Sequence, residues 1–175
     1  LETVTIPEGV TIIGEGAFRD CGSLTSVILP SSSTTIENSA FRESGLTSIE
    51  VPVGVKTIGY YAFNDCKNLT SVVLPEGITT FNNAVFAGCN NLTNVNWPSD
   101  LTTISPWTFS SCAFTSFTIP ETVTEIGDHA FYNCNGLTEI IIPASVTSIR
   151  YNAFYGCNNL KRINDWTTTT STDYF

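Results

Sequence analysis

Seven phenylalanines recur along the chain at near-constant spacing: Phe18, Phe41, Phe63, Phe86, Phe109, Phe131 and Phe154. The steps between them are 23, 22, 23, 23, 22 and 23 residues. Seven prolines keep the same beat, at Pro7, Pro30, Pro52, Pro75, Pro98, Pro120 and Pro143. A unit of this length buries almost nothing alone, so its copies must stack and share one apolar column. The chain therefore reads as a single stack of coils, with no linker dividing it.

A period of roughly 20 to 29 residues marks a leucine-rich-repeat solenoid. Aligned on the phenylalanine, the copies follow the template L-x-x-V-x-L-P-x-x-V-T-x-I-x-x-x-A-F-x-x-C. In LTSVILP, from Leu24 to Pro30, the apolar Val27 and Leu29 alternate with Ser26 and Ile28. That is the pattern of a strand with one buried face. The equivalent inward pairs are Val4/Ile6, Ile49/Val51, Val72/Leu74, Val95/Trp97, Phe117/Ile119 and Ile140/Ile142. Proline closes each strand because it has no N–H for the ladder. A second short extended piece follows, with an isoleucine (Ile13, Ile36, Ile58, Ile104, Ile126, Ile149) or Phe81 five residues before the phenylalanine. The Ala-Phe pair then predicts a turn of helix. The two shorter repeats drop a residue at Ser44-Gly45-Leu46 and Cys112-Ala113-Phe114, in the turn before the strand, where no strand register is flipped.

These features predict a right-handed coil of about seven repeats of 22–23 residues. A parallel β-sheet runs along one side, with strands at 26–29, 48–51, 71–74, 94–97, 116–119 and 139–142 forming one sheet. Short strands plus helical turns complete the other side. Coil spacing should be one strand separation, ~4.8 Å. Residues 1–163 make the solenoid. Residues 164–175 leave the pattern and read as a C-terminal tail or a partial cap, with Trp166, Tyr174 or Phe175 covering the last coil.

Cys21, Cys66, Cys89, Cys112, Cys134 and Cys157 all fall three residues after the phenylalanine, and Ser44 fills that slot in the second coil. One cysteine per coil makes a column whose β-carbons lie nearly a coil apart, whereas a disulfide needs them at roughly 3.8 Å. Six buried, reduced thiols are expected, acting as small apolar fillers. There is no C-x-x-C pair and His129 is the single histidine, so neither a metal nor a cofactor is assigned. With 16 acidic against 7 basic side chains, the net charge is −9. That balance argues against nucleic acid as a partner. No apolar run is long enough to insert in a membrane. Leu1 already lies inside a repeat, so the chain reads as a fragment or trimmed region whose ends carry no address.

The strings AFRDCGSLTSVILP, AFNDCKNLTSVVLP and AFYNCNGLTEIIIP, with V-T-x-I-G ahead of the alanine, resemble the BspA-like (Treponema-type) leucine-rich repeats. Departures are Ser44 for cysteine, Phe114 for leucine, and Val85 and Thr108 for alanine. The resemblance implies a secreted or cell-surface protein-interaction module of the adhesin type. Its partner would be a host or neighbouring-cell macromolecule, a protein or a glycan. The alternative is a passive spacer or stalk that presents another domain. The resemblance brings no catalytic residues, and the chain is not read as an enzyme.

Ligand-binding residues must lie where the template leaves freedom. The sheet's outward columns are small and polar, such as Ser26, Ser48 and Ser71. The turns differ. Trp107, His129, Tyr132, Tyr151 and Tyr155 stand where other coils carry Gly, Ser, Asn, Ala, Arg or Glu, and adjacent coils should bring them together. Tyr60 and Tyr61 occupy similar places. Such aromatics either cover the turns or form a binding surface, since Tyr and Trp are enriched at interfaces. A triad of Ser110 or Ser111, His129 and Asp128 is conceivable, but no nucleophile elbow or second histidine supports it.

Overall fold

The computed structural model describes residues 1–164 and is a parallel β-solenoid of about seven turns. The expected tail and its cap residues, Trp166, Tyr174 and Phe175, lie outside the described residues. Coils are numbered one to seven by their phenylalanine. The first strand of each coil builds one ladder: β1 (Thr3–Thr5), β3 (Ser26–Ile28), β5 (Ser48–Glu50), β7 (Ser71–Val73), β9 (Asn94–Val95), β11 (Ser116–Thr118), β13 (Glu139–Ile141) and, after coil seven, β15 (Arg162–Asn164). The second strand builds another: β2 (Ile12–Ile13), β4 (Thr35–Ile36), β6 (Thr57–Ile58), β8 (Thr80–Phe81), β10 (Thr103–Ile104), β12 (Glu125–Ile126) and β14 (Ser148–Ile149). Every pairing is parallel, and template positions face one another: Val4 pairs with Val27, Ile49 with Val72, Ile140 with Ile163.

The inward residues form one continuous core. Phe41, Phe63, Phe86, Phe109 and Phe131 are fully enclosed. The phenylalanine rings follow one another at centroid distances of 5.2–6.0 Å, mostly stacked. Hydroxyls tie the corners. Thr25, Thr47, Thr70, Thr93 and Thr138 each donate Oγ1–H to a carbonyl of the preceding coil.

Helical turns are absent among the described residues, because the expected helix is replaced by a third ladder. In a helix every N–H bonds four residues back along its own chain. Here the donors alternate. Ala17 and Arg19 donate back to Gly14 and Gly16 in their own coil, while Gly16, Phe18 and Asp20 donate to Asn38, Ala40 and Arg42 of the next. The alternation needs left-handed residues two before and two after each phenylalanine. The pairs are Gly16/Asp20, Ser39/Glu43, Tyr61/Asp65, Ala84/Gly88, Trp107/Ser111, His129/Asn133 and Asn152/Gly156, at φ between 53° and 79°.

The first ladder is also not the single sheet expected. It is divided into β1–β3, β5–β7–β9 and β11–β13–β15. Both breaks follow the shortened turns, at the 22-residue steps between Phe41 and Phe63 and between Phe109 and Phe131. Losing a residue in the turn keeps the strand's faces correct but spoils its alignment with the strand before. The second ladder breaks once, between β8 and β10. Phe81 replaces isoleucine there and packs against Trp97, with ring centroids 5.0 Å apart. Ser105 then donates through Oγ to the Phe81 carbonyl at 2.8 Å, where Gly59 uses its N–H to reach Ile36.

The cysteine column is as expected, with one correction. All six are free. Cys66, Cys89, Cys112, Cys134 and Cys157 are buried, and each donates S–H to the phenylalanine carbonyl of the preceding coil at 3.0–3.3 Å. Cys21 is only half-buried, since it sits in the first coil with none before it to cover it. Burial pushes the Cys89 and Cys112 thiols well above their ordinary value of 9.0.

Two outcomes follow. An aromatic disulfide reagent should titrate about one thiol in the native chain, Cys21, and all six after denaturation. Because the folded values of Cys89 and Cys112 are raised, the contribution of these two thiols to stability is intact below pH ~9 and falls as pH climbs above it; denaturant midpoints of the parent against Cys112→Ser across this range check the sign. Separately, Ser39→Val at φ 55° should cost about 1–2 kcal/mol by urea denaturation, because a β-branched side chain clashes in the left-handed region, whereas Ser39→Gly should not destabilise.

Candidate functional site

The turn ladder fixes the side-chain directions at the candidate site. Trp107 and His129 occupy the same slot two residues before their phenylalanines, both left-handed at φ 62° and 56°. Identical backbone geometry in neighbouring coils launches both side chains the same way. Their rings stack at 4.0 Å with planes 4° apart. Tyr132 and Tyr155 share the slot one residue after the phenylalanine and stack at 5.5 Å and 11°. Tyr132 joins the two stacks, lying 5.5 Å from both Trp107 and His129. Tyr151 completes the group, 5.4 Å from His129 at 73°. The structure thus brings all five sequence-predicted residues into one patch across coils five to seven.

The patch is solvent-facing. Tyr151 is 69 % exposed, Tyr155 49 % and Trp107 39 %, while His129 and Tyr132 are half-buried. Of the four N–H and O–H tips, none is spent on the protein. Trp107 Nε1 and the hydroxyls of Tyr132, Tyr151 and Tyr155 make no hydrogen bond among the described residues. By contrast Trp97, in the core, donates its Nε1–H to the Leu101 carbonyl at 3.2 Å. The neighbouring charges are engaged. Asp128 Oδ1 accepts the Tyr151 N–H at 3.0 Å, and Arg150 Nε meets Glu125 Oε1 at 2.7 Å. Exposed pairs of this kind add little stability.

His129 is held by a residue that sequence reasoning did not single out. Asn152 Nδ2 lies 3.3 Å from His129 Nε2, and Nδ1 is buried with no partner. Asn152 fills the slot of Trp107 and His129 one coil on, which was the signal for it. Neither Ser110 nor Ser111 bonds to the imidazole among the described residues, so the conceivable triad is not assembled. Tyr60 and Tyr61 are exposed in coil three, and no ring contact among the described residues joins them to the patch.

The family model for the BspA type leucine-rich repeat region matches in six copies, over residues 1–113 and 102–174. The chain belongs to this family. Solved structures of leucine-rich-repeat proteins are similar to the coil described above. A leucine-rich cell surface protein from Faecalibacterium prausnitzii is 30% identical over 97% of this chain and 60% of its own, with a TM-score of 0.58. A leucine-rich repeat protein of T. pallidum is 27% identical over 93% of this chain and 71% of its own, at 0.66. One from Bacteroides ovatus is 25% identical over 93% and 55%, at 0.60. The chain therefore spans about 60% of the length of the Faecalibacterium protein and less of the Bacteroides one. A comparison with curated protein sequences finds no match.

Proposed function

We propose that this BspA-type solenoid is a cell-surface interaction module of the adhesin type, and that it docks a protein partner through the aromatic patch of coils five to seven. The observation that carries the reading is the set of unspent tips: Trp107 Nε1 and three tyrosine hydroxyls, on five rings in mutual contact. Rigid aromatic bodies with free polar ends are what protein recognition surfaces use, because they bring large contact area at low entropy cost.

A protein is favoured over a glycan by ring orientation. The Trp107/His129 and Tyr132/Tyr155 pairs lie face to face along the coil axis, so each ring in a pair covers a face of the other. Each ring keeps its edges, its polar tip and at most one face. A sugar platform needs open aromatic faces, which the stacking halves, whereas ring edges and hydroxyls suit the carbonyls and aromatic faces of a protein surface. A surface location is supported by the description of the Faecalibacterium relative as a cell surface protein.

The test is a binding screen of this chain against immobilised matrix proteins, with glycans in parallel. Trp107→Ser combined with Tyr155→Ser should lower affinity for the protein found by about thirty-fold or more, as loss of two aromatic anchors does. The unfolding midpoint should stay close to that of the parent, since neither residue is enclosed in the core. Undiminished affinity in the double variant would remove the patch from the binding surface. Capture of glycans alone, or of nothing, would favour the glycan or spacer reading.

A further inference from the structure

The broken first ladder opens a site on the opposite, sheet-bearing side. β3 and β5 are neighbours in the stack but do not pair. In intact steps the N–H that follows the strand reaches the next coil: Ile6 to Ile28 at 3.0 Å, Val51 to Val73 at 2.9 Å, Ile119 to Ile141 at 2.9 Å. Leu29, the equivalent residue here, makes no such bond to Glu50. Over the two strands lies a cleft of about 430 Å³, lined on its open side by Ile28, Pro52 and Val53 together with Ser26, Ser48 and Glu50, with the core residues Val27 and Ile49 beneath. Val53 is 79 % exposed, and the Glu50 carboxylate is exposed and unpartnered. No basic side chain lines the cleft. The other short step repeats the arrangement on a smaller scale. β9 and β11 do not pair, Trp97 N–H makes no bond to Thr118, and a cleft of about 250 Å³ lies between them.

We propose that the cleft between β3 and β5 docks an extended peptide segment of a partner protein, with a branched aliphatic side chain at its centre and basic residues at its flanks. β3 and β5 share no strand pairing, and the Leu29 N–H and the Glu50 carbonyl are left without each other. A peptide unit is the group that answers both, accepting with its C=O and donating with its N–H. The exposed Ile28 and Val53, with Pro52, give an aliphatic side chain an apolar lodging. The free Glu50 carboxylate, in a chain of net charge −9, selects Lys or Arg beside it and repels acidic segments. The site exists because a single residue was dropped from the turn at Ser44-Gly45-Leu46, which makes it reversible by design.

The probe is a capped hexapeptide, Lys-Val-Thr-Val-Thr-Lys, titrated into the isotopically labelled chain. In the free chain the Leu29 amide should exchange with solvent at least about ten-fold faster than that of Val51, and saturation with peptide should slow it by a similar factor, each factor of ten being about 1.4 kcal/mol. Inserting one asparagine between Ser44 and Gly45 restores the 23-residue step; it should slow Leu29 exchange without peptide and weaken peptide binding about ten-fold or more. Should the insertion fail to fold, Glu50→Lys on the exposed sheet face must produce the same loss of binding. The proposal is overturned by a Leu29 amide as protected as Val51 in the free chain. It is equally overturned by no binding at millimolar peptide, by undiminished affinity in Glu50→Lys, or by equal binding of a peptide methylated at its backbone nitrogens.

Discussion

Three unbroken files of peptide hydrogen bonds hold this molecule in phase. At each of the six junctions between coils, three N–H groups of the turn donate forward, as Trp107, Phe109 and Ser111 do to Asp128, Ala130 and Tyr132. The peptide unit ahead of each phenylalanine accepts from the coil before and donates to the coil after. Both strand ladders are interrupted, yet this one runs from coil one to coil seven without a gap. Left-handed residues are its requirement. An L-residue there is strained by about 1–2 kcal/mol, and eleven non-glycine residues accept that strain. Regular bonding along the whole turn edge is what offsets it.

Side chains then copy the backbone's repeat. Once the phenylalanines are in phase, their rings stack, the thiols meet the carbonyl of the coil before, and the threonine hydroxyls do the same at the corner. Ser44 fits the cysteine column because its hydroxyl can reach Cys66 Sγ, at 3.3 Å. The phase also explains where the chain tolerates losing a residue. The shortened turns lie between the phenylalanine and the next strand, so they disturb sheet pairing and leave the phenylalanine register untouched.

The strands, their inward faces and the thiol column were legible because each rests on a side-chain pattern of burial. The turn was misjudged because its structure is set by backbone donors, which leave a weaker trace. The trace was present: the slot two after the phenylalanine reads Asp20, Glu43, Asp65, Gly88, Ser111, Asn133, Gly156, and Asp, Asn and Gly are the residues that tolerate a left-handed backbone. The 22-residue steps were equally visible, but their effect on pairing depends on strand alignment across coils, which spacing alone does not give. The aromatic patch could be found as a departure from the template. Its ring orientations and the hold of Asn152 on His129 could not, since both depend on how the left-handed slot aims its side chains.

The forward-donating turn has an electrostatic consequence. Every peptide unit in the three files points its N–H toward coil seven and its C=O toward coil one. Their dipoles add along the solenoid axis as they do in an α-helix, but with the sense reversed relative to chain direction. The positive pole lies toward the C-terminal coils and the negative pole toward the N-terminal ones. Each added coil lengthens the same aligned array and polarises its neighbours. The turn edge is therefore an oriented electrical object, and the aromatic patch stands nearer its positive pole.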